Sequence, residues 1–110
     1  QFSGKLPLWL SPVQVKVLTV SERFADYGAK IVQEIKQNGV RIELDDRTES
    51  ISKKVREAQL EKVNYILVVG EREEQDNTVT VRTFHNEVLG AKKIDLFIKE
   101  ILKEIKDKKL

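Results

Sequence analysis

Residues 65–70, Tyr-Ile-Leu-Val-Val-Gly (YILVVG), form an unbroken apolar run closed by glycine. A strand with one wet face alternates apolar and polar side chains; a run without alternation suits a central strand covered on both sides. Covered faces require a layer above the sheet and another below it, and the flanking segments supply both. Upstream, residues 13–20 (VQVKVLTV) alternate, are rich in β-branched side chains and read as a strand. Ser21 is then an N-cap for a helix with Phe24, Tyr27, Ile31 and Ile35 at helical spacing and Gly39 as its stop. Residues 40–46 give a second strand, with Val40, Ile42 and Leu44 on one face. A second helix, capped by Thr48 or Ser50, runs over 50–63 and buries Ile51, Val55 and Ala58.

Downstream, the polar residues 71–77 read as a turn before a cleanly alternating strand at 78–84 (TVTVRTF). His85-Asn86 turns the chain into a short fifth strand at 87–89. A last helix over 94–108 carries Phe97, Ile98, Ile101, Leu102 and Ile105. The order is β-α-β-α-β-β-(β)-α. Right-handed crossovers favour a parallel sheet, and the short link between strands three and four admits an antiparallel neighbour. The expected fold class is therefore α/β: a three-layer α/β/α sandwich around a mixed, mainly parallel sheet of four or five strands. Residues 1–12, punctuated by Gly4, Pro7 and Pro12, read as a connector from an upstream domain, with Leu6, Leu8, Trp9 and Leu10 able to dock. Residues 13–110 are the domain itself.

A chain of 110 residues has room for one core. Neither an apolar run long enough to cross a bilayer nor the ordered regions of a signal peptide occur. With no cysteine there is no disulfide or thiolate chemistry, which suits a reducing cytoplasm, the expected location. Methionine is also absent, so Gln1 is not an untouched translation start; a domain excised from a longer protein is the expectation, ahead of a removed leader. A net charge of +2 is only mildly basic. A polyanionic partner would have to be met by a local patch, with the acids placed elsewhere or used for readout.

Little here supports catalysis. The five glycines are scattered, and no phosphate-cradling GxGxxG or GxxxxGK[ST] motif occurs. His85 is the sole histidine and falls in a predicted turn, so with no cysteine a nitrogen–sulfur zinc site is set aside. Asp45 and Asp46 are adjacent on a strand and point to opposite faces, with Arg47 beside them to keep them ionised; they do not make a catalytic or Mg²⁺-binding pair. No catalytic residue, metal or cofactor is expected in this domain. Glu71, Glu73 and Glu74 read, from composition, as a solvated loop. On the 50–63 helix, Glu49–Lys53 and Lys53–Glu57 have the spacing of surface ion pairs. Arg56 has Ser52 and Leu60 at its i±4 positions, and shares one helix edge with Ser52, Gln59 and Val63. It is either a recognition residue or an ordinary surface arginine. Arg82 and Phe84 share the strand face opposite Val79 and Val81, which offers a guanidinium and a ring to unpaired bases, or a charge that keeps an edge strand soluble. Sheets of this kind bind ligands at the carboxyl ends of parallel strands, where residues 45–49 and 70–73 fall.

Four stretches, in order, carry a resemblance: LWLSPVQV (8–15), GVRIELDDRTESISKKVREAQL (39–60), YILVVGEREE (65–74) and VTVRT (79–83). Over roughly residues 6–105 the chain resembles the C-terminal anticodon-binding domain of class II aminoacyl-tRNA synthetases. The first stretch is shared with prolyl and glycyl relatives; the other three are specific to the threonyl branch. The resemblance implies a small α/β domain that binds the anticodon stem–loop of threonine tRNA, reads its G and U, and presents the tRNA to a separate catalytic domain of the same protein. It implies no catalysis and no cofactor here, and an ATP-dependent threonine–tRNA ligase as the parent; a homodimeric parent stays open. The family's reading residues fall on Thr48, Arg56, Lys62, Glu73 and Arg82. Thr48 stands where asparagine is usual and Lys62 where arginine is common, so a bidentate amide becomes one hydroxyl and a planar fork becomes a point charge. Ser52 replaces a customary glycine and Asn64 a customary proline. A carboxylate at Glu73 matches the two adjacent donors of guanine's Watson–Crick edge, while Arg56, Lys62 and Arg82 can donate to uracil carbonyls and phosphates. Three other readings remain at this point: a prolyl or glycyl relative, an accessory protein-interaction domain docking through the 94–108 helix, and a stand-alone α/β enzyme with a nucleotide pocket.

Overall fold

The computed structural model describes residues 13–83 and 87–107. The connector 1–12 with Trp9, and the turn containing Phe84 and His85, lie outside the described residues. The elements are β1 (Val15–Thr19), a 3₁₀ turn (Glu22–Phe24), α1 (Ala25–Lys36), β2 (Ile42–Asp45), α2 (Ile51–Leu60), β3 (Tyr65–Val69), α3 (Glu71–Asp76), β4 (Thr78–Thr83), β5 (Val88–Lys93) and α4 (Ile94–Asp107). They build a five-stranded sheet in the order β2-β1-β3-β4-β5. β1 is parallel to both β2 and β3, β4 runs antiparallel to β3, and β5 runs antiparallel to β4. Only β4 therefore opposes the common strand direction.

Both faces of the central strands are covered, as the unbroken run at 65–69 demands. On one face Val15, Val17, Leu67, Val69, Val79 and Val81 pack against Tyr27, Ile31 and Ile35 of α1 and Ile94, Phe97 and Ile101 of α4. On the other, Leu18 and Ile66 pack against Val55 and Ala58 of α2, with Ile51 and Val68 at the margin. The period of two along each strand divides these sets between the two layers. α1 approaches the sheet closely at Gly28, where a Cβ would come within 2.9 Å of Leu44 Cδ1 and 3.1 Å of Thr19 Cγ2. Ile94, Phe97 and Ile101 of α4 are buried in this core, with Ile98, Leu102 and Ile105 partly buried against it, while Leu96 is exposed.

Several expectations are corrected. Ser21 caps the 3₁₀ turn, its Oγ accepting from the Arg23 amide at 3.3 Å, and α1 begins only at Ala25. Ser50, not Thr48, caps α2 by accepting from the Lys53 amide at 3.2 Å; α2 ends at Leu60, and Val63 is buried beyond it. The polar stretch 71–77 is not a loop but the short helix α3. Glu73 Oε1 accepts from the Gly70 amide at 2.9 Å, closing half of a capping box, and Glu71, Glu73 and Glu74 lie at the favourable end of the helix dipole. Asn77, left-handed at φ 56°, ends the helix. The fifth strand extends to Lys93, well beyond the 87–89 expected. Gly90 takes φ 92°, and a register shift at Val81/Arg82 lets the hairpin continue past it.

Candidate nucleic-acid interface

α2 covers β1 and β3 but leaves the same face of β4 open. The result is a depression of about 440 Å³ between α2 and the sheet, lined by Val20, Ile51, Ser52, Val55, Val68 and Arg82. Its floor is apolar, and Val20 in it is 44% exposed. Val79 and Val81 are fully buried in the α1/α4 layer, so alternation turns Thr80 and Arg82 toward the α2 side. The β3–β4 register sets Arg82 beside Ile66 and Thr80 beside Val68.

Glu73 joins this face through Thr80, whose hydroxyl donates to Glu73 Oε2 at 2.6 Å. The backbone of Glu73 is held as well: the Tyr27 hydroxyl lies 3.0 Å from the Glu73 carbonyl and 2.8 Å from that of Thr78. Burial, and then the Glu73 charge, push the Tyr27 phenol up to about 12, so at neutral pH it remains a donor. Arg56 is exposed on α2, one turn along the same helix edge from Ser52 in the groove. Thr48 is exposed in the loop leading into α2, at the Ser52 end of that helix. Lys62 stands apart. It follows α2 in a left-handed turn at φ 59°, so the ten residues of the helix, roughly 15 Å of axis, separate it from Thr48.

In the DDR sequence at 45–47, Asp45 and Arg47 brace the chain against α2. Asp45 is buried and accepts from Arg47 Nε at 2.9 Å and Nη2 at 2.8 Å, and the same Nη2 reaches Glu57 on α2. Hydrogen bonds from the Arg47 side chain hold the Asp45 carboxyl below its ordinary range, against the opposing effect of burial. Asp46 is exposed, so the two acids do diverge. Glu49 pairs with Lys53 as expected, whereas Glu57 turns to Arg47 rather than to Lys53. Lys54 was missed by the sequence reading. It is fully buried, and its Nζ donates to the Thr19 carbonyl at 2.8 Å and Thr19 Oγ1 at 3.2 Å. Its position was legible: Ile51, Lys54, Val55 and Ala58 have the i, i+3, i+4, i+7 spacing of one inward face. Among the described residues no group of three His, Cys, Asp or Glu side chains could hold a metal ion, and no helix is long and apolar enough to cross a membrane.

The described residues thus form a helix-flanked mixed sheet with an apolar-floored groove that Arg82 borders, and Glu73 is tethered through Thr80 on the same strand face. Residues 14–107 match the family model described as "Anticodon binding domain", and the chain belongs to that family. It is similar to the threonine–tRNA ligase of Clostridioides difficile (strain 630), with 50% identity over 107 residues, covering 97% of this chain and 17% of that protein. It is likewise similar to the threonine–tRNA ligase of Syntrophomonas wolfei, with 50% identity over 109 residues, covering 99% of this chain and 17% of that protein. The chain thus spans about a sixth of the length of these relatives, and the threonyl branch singled out by its motifs is the one they carry. Among solved structures, the RNA binding domain of threonyl-tRNA synthetase from Cryptosporidium parvum matches with TM-score 0.86 and 36% identity, over 93% of this chain and 26% of that one. Prolyl-tRNA synthetase from the same organism shares the fold, with TM-score 0.82 and 22% identity over 94% of this chain and 23% of that one.

Proposed function

We propose that this chain is the anticodon-reading part of a threonine–tRNA ligase, binding the stem–loop of threonine tRNA and presenting the tRNA to a catalytic domain elsewhere in a longer, ATP-dependent, cytoplasmic enzyme. The observation that carries this reading is the convergence of Glu73, Thr80 and Arg82 on the open face of β4, beside an apolar floor under α2. Apolar side chains accept the flat face of an unstacked base, and polar groups around them read its edge. Glu73 supplies the two-oxygen acceptor for the adjacent donors of guanine. Arg82 and Arg56 supply donors for uracil carbonyls and backbone phosphates, with Thr48 at the entrance to α2 and Lys62 gripping the backbone farther along. A net charge of only +2 fits this division of labour, because the acids serve in readout.

The test is fluorescence anisotropy with a threonine anticodon stem–loop and with hairpins in which the G or the U is replaced. Each replacement should weaken binding by about 1–3 kcal/mol. Equal affinity for all three hairpins would overturn the reading.

A further inference from the structure

We infer that Thr80 is a positioning residue, whose hydroxyl orients the Glu73 carboxylate for its contact with guanine; this rests on the anticodon reading above. A free glutamate side chain gives up rotamer entropy when it is fixed. Glu73 has been fixed in advance. Tyr27 holds its carbonyl, the Gly70 amide holds Oε1 at 2.9 Å, and Thr80 holds Oε2 at 2.6 Å. The last distance is that of a charge-assisted O–H···O⁻ bond. The single hydroxyl proton of Thr80 is thereby committed to Glu73.

An ionised carboxylate oxygen accepts about two hydrogen bonds. With one bond to Gly70 and one to Thr80, each oxygen of Glu73 retains one acceptor site, and guanine's Watson–Crick edge presents two adjacent donors. Gly70 defines one end of the carboxylate and Thr80 the other, so together they set its plane. Gly70 belongs to the cap of α3, which any helix start requires. Thr80 reaches across from another element, on the strand face that also carries Arg82. Its effect is therefore on readout more than on the helix.

The experiment uses the full 110-residue chain, as wild type, Thr80→Val and Thr80→Ser, against a threonine anticodon hairpin carrying either guanine or inosine. Inosine lacks the 2-amino group and so removes one of the two donors. Wild type should prefer the guanine hairpin. Thr80→Val should lose roughly three- to tenfold on the guanine hairpin and little on the inosine one, narrowing the ratio. Thr80→Ser should restore both. A Thr80→Val protein with the wild-type ratio, or with equal losses on both hairpins, overturns the positioning role while leaving the guanine reading intact. A wild-type protein that does not distinguish the two bases overturns the guanine reading and this inference with it. Thermal melts verify folding, and Thr80→Ala provides a second hydroxyl-free variant where valine disturbs the strand.

Discussion

The ammonium of Lys54 lies 2.8 Å from the carbonyl oxygen of Thr19, at the carboxyl end of β1, and no part of Lys54 reaches solvent. A buried charge is tolerated only when it is hydrogen-bonded and compensated. Thr19 provides two acceptors, and the Asp45 carboxylate lies close enough for the Lys54 charge to favour its ionised form. The contact fastens α2 to the sheet next to the groove, and so fixes where Ser52 and Arg56 stand.

Lys54→Met keeps most of the side-chain volume but deprives the Thr19 carbonyl of its charged donor, and should cost about 1–3 kcal/mol. Lys54→Ala adds a cavity and should cost about 3–5 kcal/mol. Urea unfolding gives both numbers. An alanine variant as stable as the methionine one would contradict the packing described.

Arg47→Met should change the acid limb of the stability curve. The folded value of Asp45 lies below its unfolded value of about 3.9 because Arg47 donates to it. Its stabilisation is therefore present above the unfolded value and is lost as pH falls through the folded one. Without the Arg47 side chain Asp45 loses the strongest influence that lowers its pKa while burial still opposes its charge, so its pKa rises and acid unfolding should move to higher pH. Urea midpoints between pH 2 and 6 measure the displacement; coincident curves for the two proteins would contradict it.

Tyr27→Phe removes the donor shared by the Glu73 and Thr78 carbonyls and should cost about 1–2 kcal/mol at neutral pH. The phenol is pushed up to about 12, so what it contributes is fully present below its unfolded value near 10 and is lost as pH rises through 12. Tyr65, raised by burial and then by its hydrogen bond to Glu104, adds to the same alkaline slope. Unfolding midpoints from pH 9 to 12 should fall less steeply in Tyr27→Phe than in wild type.

Arg82→Ala should weaken binding of the threonine anticodon stem–loop by about 1–3 kcal/mol, with a shallower salt dependence if its contact is to phosphate. Anisotropy titrations at two salt concentrations check both effects. Wild-type affinity at low salt would remove Arg82 from the interface.

The sandwich was legible because burial leaves a period. The unbroken 65–69 run implied a strand covered on both faces, and the alternation at 79–82 correctly sent Thr80 and Arg82 to the face opposite Val79 and Val81. What escaped notice depended on single contacts. Composition made 71–77 a loop, yet a glycine followed three residues later by glutamate gives a helix start once Glu73 reaches back to Gly70. Residues 90–93 (GAKK) carry no strand signal and are recruited by pairing with β4. Lys54 was hidden by its charge despite its inward spacing. A helix over 50–63 already puts Thr48 and Lys62 at its opposite ends, but does not reveal that α2 stops at Leu60 and leaves Lys62 in a left-handed turn.

The strands also give the molecule a second rim. Residues 37–41 link α1 to β2 there, at the end where Ile42 pairs with Val15, whereas Val20 and Ile51 border the groove at the opposite end. Gln37 is exposed, and Gly39 beside it faces open space. Because the chain contains no cysteine, Gln37→Cys would create its sole thiol. A dye attached there would report on the tumbling of the whole domain as a hairpin docks, without occupying the groove beside α2.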